Sequence, residues 1–185
     1  MVNCGAMADG VRKIYLCGPI MDAESERSAK DWRTRAKERL AGRFILLDPL
    51  RRNFRDREID SANEIVEFDL QDVRDADLLL VNYCKPSLGT AMEVFYAGHD
   101  LGKFVIAFSP FSFAECSPWM VRFCTKILSD LESAITYIDR HFPESRPGAA
   151  AKTRQLFLCP DACSQARSRQ IRDCRFSAAP WDASR

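Results

Sequence analysis

No stretch of this 185-residue chain approaches the roughly 20 consecutive apolar residues that a membrane helix needs, so no role inside a bilayer is expected. The amino terminus, MVNCGAMADGVRK, lacks the basic-then-apolar plan of a secretory leader, and a cytoplasmic protein is expected. Neither a G-x-G-x-x-G turn nor a G-x-x-x-x-G-K-S/T loop occurs, which removes the usual signatures of NAD binding and ATP hydrolysis. No cofactor is expected. No internal repeat is visible either.

An excess of one charge is also missing overall, with 27 Lys and Arg against 26 Asp and Glu, but the distribution is uneven. Residues 143–185 carry eight basic side chains against four acidic, and the first 142 residues nineteen against twenty-two. A mildly acidic body offers no basic face to a phosphate backbone, so a nucleic-acid polymer is not an expected partner. The eight cysteines do not form a disulfide framework. Cys17 and Cys84 sit in apolar strand-like runs and Cys124 in a helical pattern, where a reduced thiol behaves as a small hydrophobe. In the tail, CPDAC and Cys174 lack a second two-cysteine knuckle and a nearby histidine, so no metal site is expected.

What is present is a composition of 46% hydrophobic and 29% charged residues, enough for one ordinary domain with a buried core. Strand-like and helix-like segments alternate: KIYLCG, a helix from about Ser25 to Leu40, FILLDP, a helix from about Ser61 to Ala76, then DLLLVNYC. A helix from about Thr90 to Leu101, the strand KFVIAFS, the loop PFSFAECSPW and a last helix or helix pair from Pro118 to Phe142 complete the pattern. This predicts an α/β fold of the flavodoxin-like or Rossmann-like kind, a mainly parallel sheet flanked by helices. We delimit an N-terminal extension at 1–11, one domain at 12–142 and an irregular, loosely packed or disordered C-terminal tail at 143–185.

In such a sheet the ligand crevice lies beyond the carboxyl ends of the strands, where strand order reverses. Gly18, Pro19 and Ile20 follow the first strand, Asp48 ends the second, and Ser87, Gly89 and Thr90 open the helix after the third. The amides of that helix start, with the Ser87 hydroxyl, suit a phosphate or an oxygen-rich sugar.

Glu93 has two readings: an acid favoured by the helix dipole in a first turn, or a buried carboxylate with a chemical role. Its neighbours Ala91, Met92, Val94, Phe95 and Ala97 are apolar, which makes a solvated face uncomfortable. Asp69, between Phe68 and Leu70, either pairs with Arg74, caps a turn, or joins Glu93 in the crevice. Two carboxylates there suit glycosidic chemistry, one attacking or stabilising C1 of a sugar while the other handles protons. Arg51 and Arg52 could reach a phosphate, although exposed arginines in a charged loop usually do nothing specific.

YLCGPI, the FDL around Asp69 and KPSLGTAMEVFYAGHDLGK together resemble the nucleoside 2-deoxyribosyltransferase family and its relatives, the 2'-deoxynucleoside 5'-monophosphate N-glycosidases. The resemblance runs from about residue 12 to 142. It implies Glu93 as a nucleophile forming a glycosyl ester at C1', Asp69 as the carboxylate that helps protonate the departing base, and Tyr15 as the hydroxyl that orients the nucleophile. A tyrosine in KIYLCG is equally a candidate for core packing.

In transferases of unphosphorylated nucleosides the position six before the nucleophile tends to be acidic. Here it is Ser87, as in the monophosphate N-glycosidases, while GTAMEV and the SPW loop look more like the broader transferases. The resemblance also implies a homodimer or higher oligomer whose sites are completed by a residue of the loop after the fourth strand. Ser117 matches that residue, and Trp119 either walls the base pocket or packs in an interface. The implied partners are a deoxynucleoside or deoxynucleotide and a nucleobase. Transfer to a second base, hydrolysis of a monophosphate, ligand binding without turnover, and a function seated in the tail are the competing readings.

Overall fold

The structure, a computed structural model, describes residues 11–20 and 23–143. The tail from residue 144 and, apart from Val11, the N-terminal extension therefore lie outside the described residues. Five strands, β1 (Lys13–Cys17), β2 (Ile45–Leu47), β3 (Leu78–Asn82), β4 (Phe104–Phe108) and β5 (Lys126–Leu128), form one sheet in the order β2-β1-β3-β4-β5. Every pairing is parallel, with Tyr15 in register with Leu47 on one side and Leu79 on the other. This is the flavodoxin-like order, and its reversal point falls between β1 and β3.

The helices are α1 (Ala23–Leu40), α2 (Ala62–Asp75), α3 (Leu88–Phe95), α4 (Pro118–Phe123) and α5 (Leu131–His141). Strand side chains alternate between the two faces of a sheet, and here the alternation sorts two cores. Ile14, Leu16, Leu78, Leu80 and Ile106 meet α1 and α5 through Trp32, Ala36, Leu40, Ile135 and Ile138. Tyr15, Cys17, Leu79, Val81 and Val105 face the other way, toward Val73 of α2, Val94 and Ala97 of and beyond α3, and Met120 of α4. The polar side chains of β1 thus point at the same layer of helices that carries Asp69 and Glu93. Among the described residues no helix is long and apolar enough to cross a membrane.

Two expectations are corrected. The region 118–142 is not a helix or helix pair: α4 ends at Phe123, Cys124 turns extended (φ −79°, ψ 132°), and β5 follows before α5. Among the described residues the strand KIL pairs only with β4 and is half exposed, so it needs no long apolar run to announce it. Asp130 then starts α5 by accepting from the Ser133 amide at 2.8 Å.

The second correction concerns α3. It starts at Leu88, two residues earlier than expected, and no acidic residue occupies its first turn. Glu93 therefore lies in the second turn, where the positive end of the helix dipole gives it little support. After Phe95 the helix widens into a π-helical turn, Tyr96–Asp100, and stops before Gly102, whose φ of +60° suits glycine. Gly98 in that turn lies against α4 so closely that an added Cβ would stand 2.6 Å from the Phe123 carbonyl oxygen.

Candidate active site

Tyr15 and Cys17 are two residues apart on β1 and so project from the same face of the sheet. Both are fully buried, and both reach the carboxyl group of Glu93. Tyr15 Oη donates to Glu93 Oε1 at 2.9 Å, and Cys17 Sγ donates to Oε2 at 2.8 Å. The thiol also has the carbonyl oxygen of Thr90 within 4.0 Å. Glu93 is thus neither a solvated surface acid nor a simple salt-bridge partner.

Burial pushes the Glu93 carboxyl up to about 7; the Cys17 and Tyr15 hydrogen bonds oppose that rise, whereas the charge of Asp69 adds to it. Burial, and then the neighbouring Glu93 charge, raise both Tyr15 and Cys17, which keeps each protonated and able to donate.

Asp69 comes from α2 on the same layer. Burial raises its carboxyl to about 6, against the pull of Arg52 and with a further push from Asp72. Arg52 Nη1 stands 3.7 Å from Asp69 Oδ1 and 2.8 Å from Asp72 Oδ2, while Arg51 Nη2 reaches Asp72 Oδ1 at 2.5 Å. The two arginines of the charged loop are therefore engaged, with Arg52 also lying over the Phe68 ring at 4.5 Å. Arg74 does not pair with Asp69: its neighbours are Gln71, Glu67 and the Tyr96 hydroxyl.

The turn after β1 is held from below by Arg33, a buried guanidinium that donates to the carbonyls of Leu16 at 3.2 Å and Gly18 at 3.1 Å. Asp48 balances this charge at 3.4 Å, and its two oxygens also take the Leu50 amide at 2.9 Å and Lys37 at 2.5 Å. Asp48 thereby supports the crevice as an anchor for Arg33 rather than as a free acceptor. Gly18 is needed for close approach, since a Cβ there would lie 3.1 Å from Asn82 Cβ and 3.3 Å from Trp32. Pro19 and Ile20 continue the turn, with Ile20 exposed.

Across the crevice, Ser87 occupies the N-cap position of α3 without making a side-chain cap bond, Gly89 has open space around it, and Thr90 is buried. Ser117 and Trp119 lie apart from this group. Ser117 caps α4 through the Trp119 amide at 3.4 Å, and the Trp119 ring sits 6.2 Å from Phe95 and 6.0 Å from Phe123.

Three contributors were not singled out in the sequence. Cys17 was signalled only by its even spacing from Tyr15. Arg33 lies three residues before Ala36 and seven before Leu40, on the helix face that packs against the sheet, but among charges it looks like one of many. Asp72 carried no local mark at all.

A carboxyl held by two donors, with a second carboxyl raised to about 6 acting on it, is equipped for nucleophilic attack with proton transfer to a leaving group. Residues 14–117 match the model of the nucleoside 2-deoxyribosyltransferase family, and the chain belongs to that family. The family is one of enzymes, named for the transfer of 2-deoxyribosyl groups from nucleosides.

Among solved structures, a 2-deoxyribosyltransferase from Bacillus psychrosaccharolyticus is 22% identical with a TM-score of 0.54, over 68% of this chain and 91% of that one. A conserved protein from Enterococcus faecalis V583 is 18% identical with a TM-score of 0.56, over 71% of this chain and 99% of that one. A CMP N-glycosidase from Clostridium botulinum is 16% identical with a TM-score of 0.47, over 70% and 98%. No curated protein matches the chain.

Proposed function

We propose that this protein cleaves the N-glycosidic bond of a 2'-deoxynucleoside, or of its 5'-monophosphate, through a covalent ester on Glu93 and passes the deoxyribosyl group to another base. The observation that carries the reading is the double hold of Tyr15 and Cys17 on the two oxygens of a half-buried carboxyl. In the first step a Glu93 oxygen bonds to C1' as the C1'–N bond breaks, and the base leaves with the bonding pair and takes a proton from Asp69. In the second step a nitrogen of the acceptor base bonds to C1', Glu93 leaves as a carboxylate, and the acceptor's proton returns to Asp69. Two displacements at C1' give retention.

The Gly18-Pro19-Ile20 turn and the α3 start would form the two walls of the substrate crevice. A second reading, hydrolysis of a monophosphate to free base and deoxyribose 5-phosphate, is favoured by Ser87. Its hydroxyl makes no cap bond, and with the first amides of α3 it would suit a 5'-phosphate that an acidic residue there would repel.

A second copy of the chain is the partner that best fits the outer surface of α3 and α4. Leu88, Met92, Phe95 and His99 fall on one helical stripe beside Trp119 and Phe123, and Leu88, Met92 and Trp119 are 81%, 59% and 65% exposed. Such packing would bring Ser117 and Trp119 to the neighbouring site.

Incubating the protein with deoxynucleosides and their monophosphates, each with and without a second base, separates the readings by chromatography. A new nucleoside means transfer, and free base alone means hydrolysis. If no base is released from any substrate while ligand still binds to the parent and to Glu93→Ala alike, the enzyme reading fails.

A further inference from the structure

We propose that Cys17 is a positioning residue for Glu93: its thiol holds Oε2, the oxygen that attacks, and sets the pH at which the carboxylate becomes available. The inference rests on the proposed role of Glu93 and adds a division of labour between its oxygens. Tyr15 and Cys17 both point into the same layer from β1, but their donors differ in strength. A phenol O–H is a good donor and a thiol S–H a weak one.

The Tyr15 bond to Oε1 at 2.9 Å can persist when that oxygen becomes the carbonyl of a glycosyl ester. The oxygen that bonds to C1' must instead give up much of its accepted hydrogen bond, and the thiol bond to Oε2 is the one that costs less to weaken. The S–H need not be left without an acceptor, because the Thr90 carbonyl lies 4.0 Å from the same sulfur. A rotation of the thiol hydrogen from Oε2 to Thr90 would accompany ester formation, and the reverse rotation its breakdown. Cys17 is fully buried, in keeping with a fixed internal donor.

The other groups acting on Glu93 are Asp69 from α2 and Arg33 from α1, and neither supplies a neutral donor to it. Asp69 raises the carboxyl and Arg33 lowers it through charge alone, so the hold on Oε2 belongs to Cys17.

The test compares the parent with Cys17→Ala and Cys17→Ser, using protein labelled with carbon-13 at the glutamate carboxyls and the Glu93 signal assigned by its loss in Glu93→Gln. Removing the donor should move the Glu93 titration upward by about half to one pH unit in Cys17→Ala. Cys17→Ser, which restores a stronger donor, should return it to the parent value or below. With a base-releasing substrate at pH 6, kcat should fall on the order of tenfold in Cys17→Ala with KM little changed, and stay within about threefold in Cys17→Ser.

Titration at the same pH in all three proteins, or a serine variant that tracks the alanine variant, would overturn the proposal. Should Cys17→Ala fail to fold, the serine variant decides alone, since a titration raised above the parent value there contradicts the hold. If none of the proteins releases base, the functional reading fails, while the carboxyl titration still decides the role of Cys17.

Discussion

Tyr15 Oη sits 2.9 Å from Glu93 Oε1, bridging β1 to the second turn of α3 across 78 residues of sequence. That bond is long-range, partly buried and directed at the carboxyl that the functional reading makes the nucleophile.

Tyr15→Phe keeps the ring in the core and removes the hydroxyl. The Tyr15 bond holds the Glu93 carboxyl down, so its loss should raise that group and shrink the population that has Glu93 ionised while Asp69 is protonated. We expect kcat to fall by about 10- to 100-fold with little loss of thermal stability. Steady-state kinetics across pH, with melting curves alongside, measure both.

The two carboxyls titrate close together, Glu93 at about 7 and Asp69 at about 6, so the pair shares one proton over the interval between them. Attack needs Glu93 ionised and departure of the base needs Asp69 protonated. The pH profile of kcat/KM for base release should therefore be a narrow bell with its maximum between those values, and both limbs belong to the pair. Arg52→Gln removes a charge that holds Asp69 down, so Asp69 should titrate closer to Glu93 and the acid limb, which follows the lower of the two values, should move up.

Glu93 should cost stability at neutral pH. Its folded-state value, about 7, lies above its ordinary 4.5, so the folded protein binds more protons than the unfolded chain between those limits. The penalty is absent below the lower limit, grows as pH rises, and is complete above the upper one. Glu93→Gln should then melt like the parent near pH 4 and higher than it at pH 8, by an amount on the order of 1–2 kcal/mol. Calorimetry at the two pH values checks the sign.

Arg33 donates to two backbone carbonyls and faces Asp48 in a buried setting. Arg33→Met would leave Asp48 short of a partner and free the Gly18 turn, and we expect a loss of about 3–5 kcal/mol in denaturant unfolding. Arg33→Lys should recover only part of it, because one ammonium cannot span the same acceptors.

The first four strands and the placing of Glu93 near a crevice were legible because they rest on local pattern: apolar runs bounded by Gly, Pro or charge, and a carboxylate stranded among Met92, Val94 and Phe95. Tyr15 and Asp69 were legible through the order of motifs that resembles the family. What stayed hidden depended on partners far along the chain. β5 is three residues long and is stabilised by Ile106 to Phe108, so its own sequence carries almost no signal. Arg52 is one of several arginines in its loop until α2 brings Asp69 and Asp72 to it. Cys17 read correctly as a reduced, buried thiol, and only the position of Glu93 78 residues after Tyr15 shows that its hydrogen has a use.

The covalent ester on Glu93 is tested most directly by acid-quenching the protein during turnover with a deoxynucleoside or its monophosphate and sequencing its peptides by mass spectrometry. The account predicts a deoxyribosyl adduct, or its phosphorylated form, on the peptide containing Glu93, absent from Glu93→Ala. Base release by Glu93→Ala at the parent rate, or an adduct on any other residue, would contradict it.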